Sequence, residues 1–352
     1  MTVFVFGAGA TRGASFVDPT KEPCLPPLDA DFFTQLQRIR SRKYQTLVRD
    51  VLADVTDLFG YNFDVTMEGV FVTVEQTIRM ATATHERRDY KVPALKKVRN
   101  RLLQALAAVL EEALTEKAAS GAGTRKIKLC NYHKLFVENI LEPQDTIITF
   151  NYDCLLDHHL KLFGEKKWNA RYGYGVKLGA RGAHLTGDKF WTPRNHPAKK
   201  NDTVLLLKLH GSLHFDARNS ERNKYQLKLK QRPHTYQGKG SMRFTVIPPE
   251  WHKGFEAGMF KDIWTKAADR LYKADRLVFI GYSLPVTDMH AAALLRTSVK
   301  RAALKSLVVV NPDREARRRI RSVVARGFAT DTRVLSIDRF EEFVAMDPSV
   351  WR

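Results

Sequence analysis

The sequence predicts an α/β fold: a Rossmann-like, doubly wound, mainly parallel sheet with a helical insertion. Three observations lead there. Short, almost wholly apolar runs recur at TVFVF (2–6), DTIITF (145–150), TVLLLKL (203–209), DRLVFI (275–280) and SLVVV (306–310), as expected of parallel strands buried on both faces. Helical patterns follow two of these runs clearly, at 287–301 and 314–325, and strands alternating with helices indicate a doubly wound sheet. The first run stops at Gly7, Gly9 and Gly13, so a buried strand leads directly into a glycine turn.

The rest of the chain fits around this frame. CLPPLDADFF (24–33) reads as a Pro-containing loop in which Asp29 or Asp31 could start a helix. From about 31 to 140 the pattern is mainly helical, and LLQALAAVLEEAL (102–114) has helical apolar spacing without Gly or Pro. Ser120, Gly121, Ala122 and Gly123 make a break. NYDCLLDHHLKLF could be a helix after the second run. Residues 164–202 and 214–242 are rich in Gly, Lys, Arg, Asn and aromatics, and read as long basic loops or a small irregular subdomain. The expectation is one domain over residues 1–352.

Composition bounds the function. Of 352 residues, 44% are apolar and 27% charged, enough for a sizeable core, which argues against disorder. No uninterrupted apolar run of about 18 residues occurs, so no transmembrane helix is expected, and MTVFVFGAGA reads as a strand and turn instead of a signal peptide. Cys24, Cys130 and Cys154 are odd in number and widely spaced. This opposes a disulfide framework or a four-cysteine zinc module and suggests a reducing cytoplasm. The 58 Lys and Arg exceed the 38 Asp and Glu, giving a net charge of +20. Such a surface attracts nucleic acid, an acidic partner subunit or an anionic substrate.

The glycine turn lets backbone approach a phosphate, and a helix N-terminus beyond it would favour negative charge. The spacing is G-x-G-x-x-x-G, however, with Arg12 where the third glycine of a dinucleotide fingerprint belongs. No acidic residue ends a second strand about 20 residues on, which disfavours a hydride-transferring dehydrogenase. More informative are the polar residues just past strand ends: Asn151 and Asp153 in TFNYD, His210 to Ser212 in KLHGS, Ser283 in GYSLPVTD and Asn311 in NPD. Singly, Asn151 could be a helix cap, His210 a loop histidine and Ser283 a turn residue. Together they would converge on one crevice outside the carboxyl ends of the strands.

The ordered set GAGAT, TFNYD, KLHGS, IPP (247–249), GYSLPVTD and VNPD resembles the sirtuin-like NAD-binding domain, in its bacterial anti-phage defence branch. The resemblance spans residues 3 to about 325 and is weakest over the helical insertion and basic loops. It implies NAD as substrate. Gly7, Ala8 and Gly9 match the phosphate-binding turn, with Thr11 where the family usually has Ser. Asn151 matches the residue that holds the nicotinamide ribose and positions water, Asp153 the acid near the nicotinamide amide, and His210 the catalytic histidine. Gly281, Ser283 and Asn311 match residues lining the adenosine half, and Asp288 an acidic position of the defence branch. For the family's Phe over the nicotinamide, Phe32 and Phe33 are both candidates.

Cleavage of the nicotinamide–ribose bond passes through an oxocarbenium-like state. Water as acceptor gives ADP-ribose; an acyl-lysine gives deacylation. Deacylases of the sirtuin type carry four zinc cysteines, which three scattered ones cannot supply, and His158, His159 and His196 read as surface residues. No metal is expected, and NAD hydrolysis leads. The alternative is a non-catalytic module that binds nucleic acid or a nucleotide. Basic clusters RIRSRK (38–43), KKVRNR (96–101), RNHPAKK (194–200), KLKQRPH (228–234) and REARRRIRS (314–322), with Trp191, Tyr225 and Tyr236 available for stacking, leave nucleic-acid binding open. The resemblance also implies a homo-oligomer or a second subunit such as a HerA-type ATPase.

Overall fold

The five apolar runs form strands β1 (Thr2–Phe6), β2 (Thr146–Thr149), β3 (Leu205–Lys208), β4 (Arg276–Ile280) and β5 (Leu304–Val310), joined by β6 (Phe328–Ile337). The computed structural model describes residues 1–84, 92–117, 125–179, 188–219, 225–231, 245–246 and 258–352. The six strands make one parallel sheet in the order β6-β5-β4-β1-β2-β3. Read from β3, this is the doubly wound order 3-2-1-4-5-6, which reverses beside β1. All five residues of β1 are buried, as its central place requires.

Helices flank the sheet or build a separate helical body. They include α1 (Ala8–Arg12), α2 (Phe32–Gln37), α3 (Gln45–Phe59), α4 (Met67–Thr84), α5 (Val92–Leu114), α6 (Leu155–Phe163), α7 (Gly258–Lys273), α8 (Met289–Ser298) and α9 (Arg314–Val324); further short helices include Asn131–Leu135 and Phe340–Ala345. Local chemistry sets several ends. Asp313 caps α9 through the Glu315 amide at 2.8 Å, and Gly60 ends α3 at φ +85°. Among the described residues, no helix is long and apolar enough to cross a membrane.

Two hydrophobic cores form. One surrounds the sheet; the other holds α2 to α5 together, running from Cys24 to Leu114 with Leu213 added. Leu95, Leu102, Leu106, Val109 and Leu114 lie along the stripe that α5 buries in this second core. The helical body thus ends at Leu114. Residues 131–140 were expected within it but join the sheet core, because Phe136 sits edge-on to Phe4 and Phe6 at 5.0 Å.

Other segments differ from the sequence expectation. Strand β6 has an exposed, unalternating pattern and exists because β5 pairs with it, register shift included. Helix α7 was not anticipated either. The basic stretch after residue 214 contains an antiparallel pair, Phe215–Asn219 with Tyr225–Leu229. Trp191, expected to be free for stacking on bases, is 1% exposed and donates its indole N–H to the Lys230 carbonyl. Tyr236, the IPP motif and the break at 120–123 lie outside the described residues.

His159 is likewise no surface residue. It is fully buried; its Nδ1–H donates to the Leu155 carbonyl at 2.7 Å and its Nε2 accepts from the Cys130 amide at 2.9 Å. Protonation would break the second bond. Burial, reinforced by His133, pushes its pKa down to about 3. The folded state therefore holds this ring neutral while the unfolded chain protonates near pH 6.5. The stability is fully present above that pH and is lost as pH falls towards 3. Between about pH 7 and 4.5 this one group should cost about 2–3 kcal/mol. Urea unfolding of wild type and His159→Gln at both pH values checks this: the wild type should lose more, and equal losses would refute the assignment.

Candidate active site

A cavity of about 880 Å3 opens at the carboxyl ends of the strands, beside the point where the sheet order reverses. Parallel pairing sets this up. Phe6 stands level with Ile280 and Thr149, Thr149 with Lys208, and Ile280 with Val310. The residues just beyond, Gly7, Asn151, His210, Gly281 and Asn311, therefore emerge at one height. Gly7, Ala8, Gly9, Thr11, Asn151, Asp153, His210, Gly281, Ser283, Asp288 and Asn311 all line this one cavity, whereas Gly211 and Ser212, also expected at this edge, do not; the Ser212 hydroxyl bonds His214 instead. Of the two phenylalanine candidates, Phe32 lines it and Phe33 does not.

The glycine turn works differently from a free phosphate loop. The amides of Gly7 and Gly9 donate to the carbonyls of Ile280 and Gly281 at 3.0 and 2.8 Å. These glycines let the turns after β1 and β4 touch. A Cβ on Gly7 would fall 2.6 Å from the Tyr282 Cα, and one on Gly9 2.7 Å from the Gly281 oxygen. Gly281 is more constrained still, at φ +61° with a Cβ position 2.0 Å from the Ala10 nitrogen. Helix α1 spans only five residues.

Beside this turn, Asn151 is held from two directions. Its amide nitrogen donates to the Gly7 carbonyl at 3.0 Å and to Thr11 Oγ1 at 3.2 Å. Thr11 in turn donates to Asp153 Oδ2 at 3.0 Å, while Asp153 Oδ1 accepts the Leu155 amide at 2.9 Å. Both amide hydrogens of Asn151 are thus committed, and its Oδ1 remains as an acceptor for a ligand. Asp153 has both oxygens engaged, so it orients Thr11 and, through it, Asn151.

Strand β3 is locked to the same loop. The Lys208 ammonium, 2% exposed, donates to the Asp153 carbonyl at 2.6 Å and to Asp157 Oδ2 at 2.8 Å. Tyr174 donates to Asp157 Oδ1 at 2.8 Å, and His214 Nε2 lies 3.4 Å from the same oxygen. Burial alone would raise the Asp157 pKa, but the Lys208 charge and then His214 hold it below the usual carboxylate range. Two residues beyond Lys208, His210 is 6% exposed, with its ring 5.1 Å from Phe150 and 6.0 Å from Tyr152. Its Nε2 lies 3.8 Å from Asp288 Oδ2. Asp288 also accepts the Tyr282 hydroxyl at 3.1 Å and caps α8. Burial and then Asp288 keep Tyr282 protonated far above its ordinary range. Its ring stacks on Phe150 at 4.5 Å.

Several cavity residues had no signal in the sequence. Glu68 on α4 accepts the Thr287 hydroxyl at 2.6 Å, which ties the helical body to the GYSLPVTD turn. The Glu68 amide donates to Asp29 Oδ1 at 2.7 Å, a cap supplied from 39 positions away. Burial raises the Asp29 pKa. Leu106 and Leu110 of α5 close the apolar side. The lining carries Asp29, Glu68, Asp153, Asp288, Asp313, Asp338 and Glu341 against Arg12 and Arg339. The cavity is thus acid-rich in a chain of net charge +20.

Two substitutions test this framework. Lys208→Met strands a buried carboxylate and should cost roughly 3–5 kcal/mol in denaturant unfolding, part of which Asp157→Leu in the same chain restores. Stability unchanged in the single variant would contradict the buried pair. Gly281→Ala forces a side chain into the backbone of the β1 turn, and should lower the melting temperature by several degrees, where a change at an exposed alanine such as Ala293→Ser should not.

Comparison with known proteins places the chain in a family. Across the solved structures, a chain described as "Structural Basis for the Mechanism and Regulation of Sir2 Enzymes" aligns with 98% of this chain and 88% of its own, at 9% identity and a TM-score of 0.32. No curated protein matches. The model of the SIR2-like domain matches residues 145–326, just over half of the sequence, from the start of β2 past the end of α9. The chain belongs to the SIR2-like domain family.

Proposed function

We propose that this chain is an NAD glycohydrolase, cleaving NAD with water to nicotinamide, ADP-ribose and a proton. The observation that carries this reading is the pairing of Asn151 Oδ1 and the His210 imidazole at the ends of strands β2 and β3, which lie side by side, in one cavity. The glycine contact between the two turns and the acceptor left on Asn151 suit a nucleotide whose ribose hydroxyls donate hydrogen bonds.

The chemistry asks little covalent work of the protein. As the glycosidic bond lengthens, positive charge develops at the anomeric carbon. Asn151 Oδ1 accepts from a ribose hydroxyl or from the attacking water. His210 accepts the proton that water releases, a role an imidazole fills near neutral pH. Asp288, 3.8 Å from Nε2, stabilises the imidazolium that forms. Asp153 acts at one remove, by fixing Thr11 and Asn151. Gly7, Ala8, Gly9, Ser283 and Asn311 line the remaining length available to the dinucleotide. The motif resemblance extends the reading to an NAD-depleting effector of bacterial anti-phage defence, working in the cytoplasm as a homo-oligomer or with a HerA-type ATPase.

Nicotinamide release from NAD, followed by chromatography without added metal, tests the proposal. Asn151→Ala and His210→Ala should each lower the rate by at least about a hundredfold, and the double variant should be little slower than the slower single one. Asp288→Asn should reduce the rate less than His210→Ala. A folded wild type that binds NAD without cleaving it would instead make the chain a nucleotide-binding module.

A further inference from the structure

We propose that the outer face of α9 is a binding groove for the phosphate backbone of nucleic acid. Between α9 and the edge strand β6 lies a second concavity of about 670 Å3, lined by Arg314, Arg317, Arg318, Arg321, Ser322 and Ser336. The four arginines fall at positions i, i+3, i+4 and i+7, so they form one helical row. The row is about 10.5 Å long at the helical rise, a length over which one strand of a duplex presents about three phosphates.

The charge of this row is largely unspent. Arg314 and Arg321 make no ion pair among the described residues, and both are exposed. Arg318 meets Glu315 only at 3.9 Å, with side chains 82% and 64% exposed, a pair of little strength. Arg317 differs: it is anchored to Asp338 and to the Asn311 carbonyl, both at the rim of the first cavity. Guanidinium groups bind phosphate oxygens in pairs, and the Ser322 and Ser336 hydroxyls add donors.

The cationic excess also needs a place to act. It is not in the NAD cavity, whose charged lining residues are mostly acidic. Several basic residues elsewhere are already paired: Arg99 with Glu75, Arg101 with Asp54 and Lys43 with Glu111. The groove on α9 concentrates arginines in one concave surface, with Glu315 and Asp338 as the carboxylates that pair with its lining. A row of fixed, evenly spaced cations fits a regularly charged polymer, and contacts confined to phosphates carry no base sequence.

Fluorescence anisotropy with two labelled DNA duplexes of unrelated sequence, each about 20 bp long, tests this without involving NAD. Wild type should bind both equally, and affinity should fall steeply with salt. Arg314→Ala/Arg318→Ala/Arg321→Ala leaves Arg317 and the first cavity intact, and alanine suits a helix. It should weaken binding at least about tenfold and reduce the salt slope by roughly 3. The corresponding Gln variants, which keep side-chain length, should lose as much. A charge-matched control, Lys21→Ala/Lys96→Ala/Lys97→Ala, removes exposed cations elsewhere and should bind as wild type does. The proposal is overturned if the groove variants bind normally, if the control loses as much, or if poly-glutamate competes as well per charge as unlabelled duplex, which would point to an acidic protein.

Discussion

Backbone meets backbone where the turn after β1 touches the turn after β4. Gly7, Gly9 and Gly281 leave no room for a side chain on either turn, and hydrogen bonds from the two glycine amides close the contact. Everything at the cavity is referred to this junction. It lies where the sheet order reverses, and the cavity opens beside it at the carboxyl ends of the strands. Asn151 is hung from the same turn through the Gly7 carbonyl, and Tyr282, next to Gly281, supports Asp288.

The other half of the site rests on a buried ion pair. Lys208 and Asp157 are taken wholly out of water, a cost that only close pairing and full hydrogen bonding offset. Lys208 meets it with the Asp153 carbonyl, and Asp157 with Tyr174. The result is directional: strand β3, which presents His210, is pinned to the loop that presents Asn151. Local flexibility that would separate the two residues has to break a fully desolvated pair.

The distribution of charge follows a similar division. Carboxylates gather around the cavity, where Glu68 accepts the Thr287 hydroxyl and Asp288 accepts the Tyr282 hydroxyl and caps α8. Guanidinium groups gather outside, above all along α9. Arg317 stands between them, facing the outer groove while tied to Asp338 and Asn311 at the cavity rim. Arg319 of the same helix also reaches the cavity lining, donating to the Ser283 carbonyl.

The sequence alone determined the parallel strands and the residues at their ends. An apolar run buried on both faces is a local composition signal, and polar residues that must follow such a run mark the carboxyl edge of a sheet. Hence five of six sheet strands, the glycine turn and the polar residues past strand ends, Asn151, Asp153, His210, Ser283 and Asn311, were legible without coordinates, while Ala8, Thr11 and Asp288 came from the motif resemblance. Tertiary structure alone decided the rest. Strand β6 is half exposed and takes its form from pairing with β5. Asp29 caps a helix 39 positions away, and Glu68 reaches Thr287 across 219 positions, distances at which no spacing rule operates. The burial of His159 and Trp191 was set by what packs over them, since a polar or amphipathic side chain is kept inside only by partners that its own neighbours in sequence do not reveal.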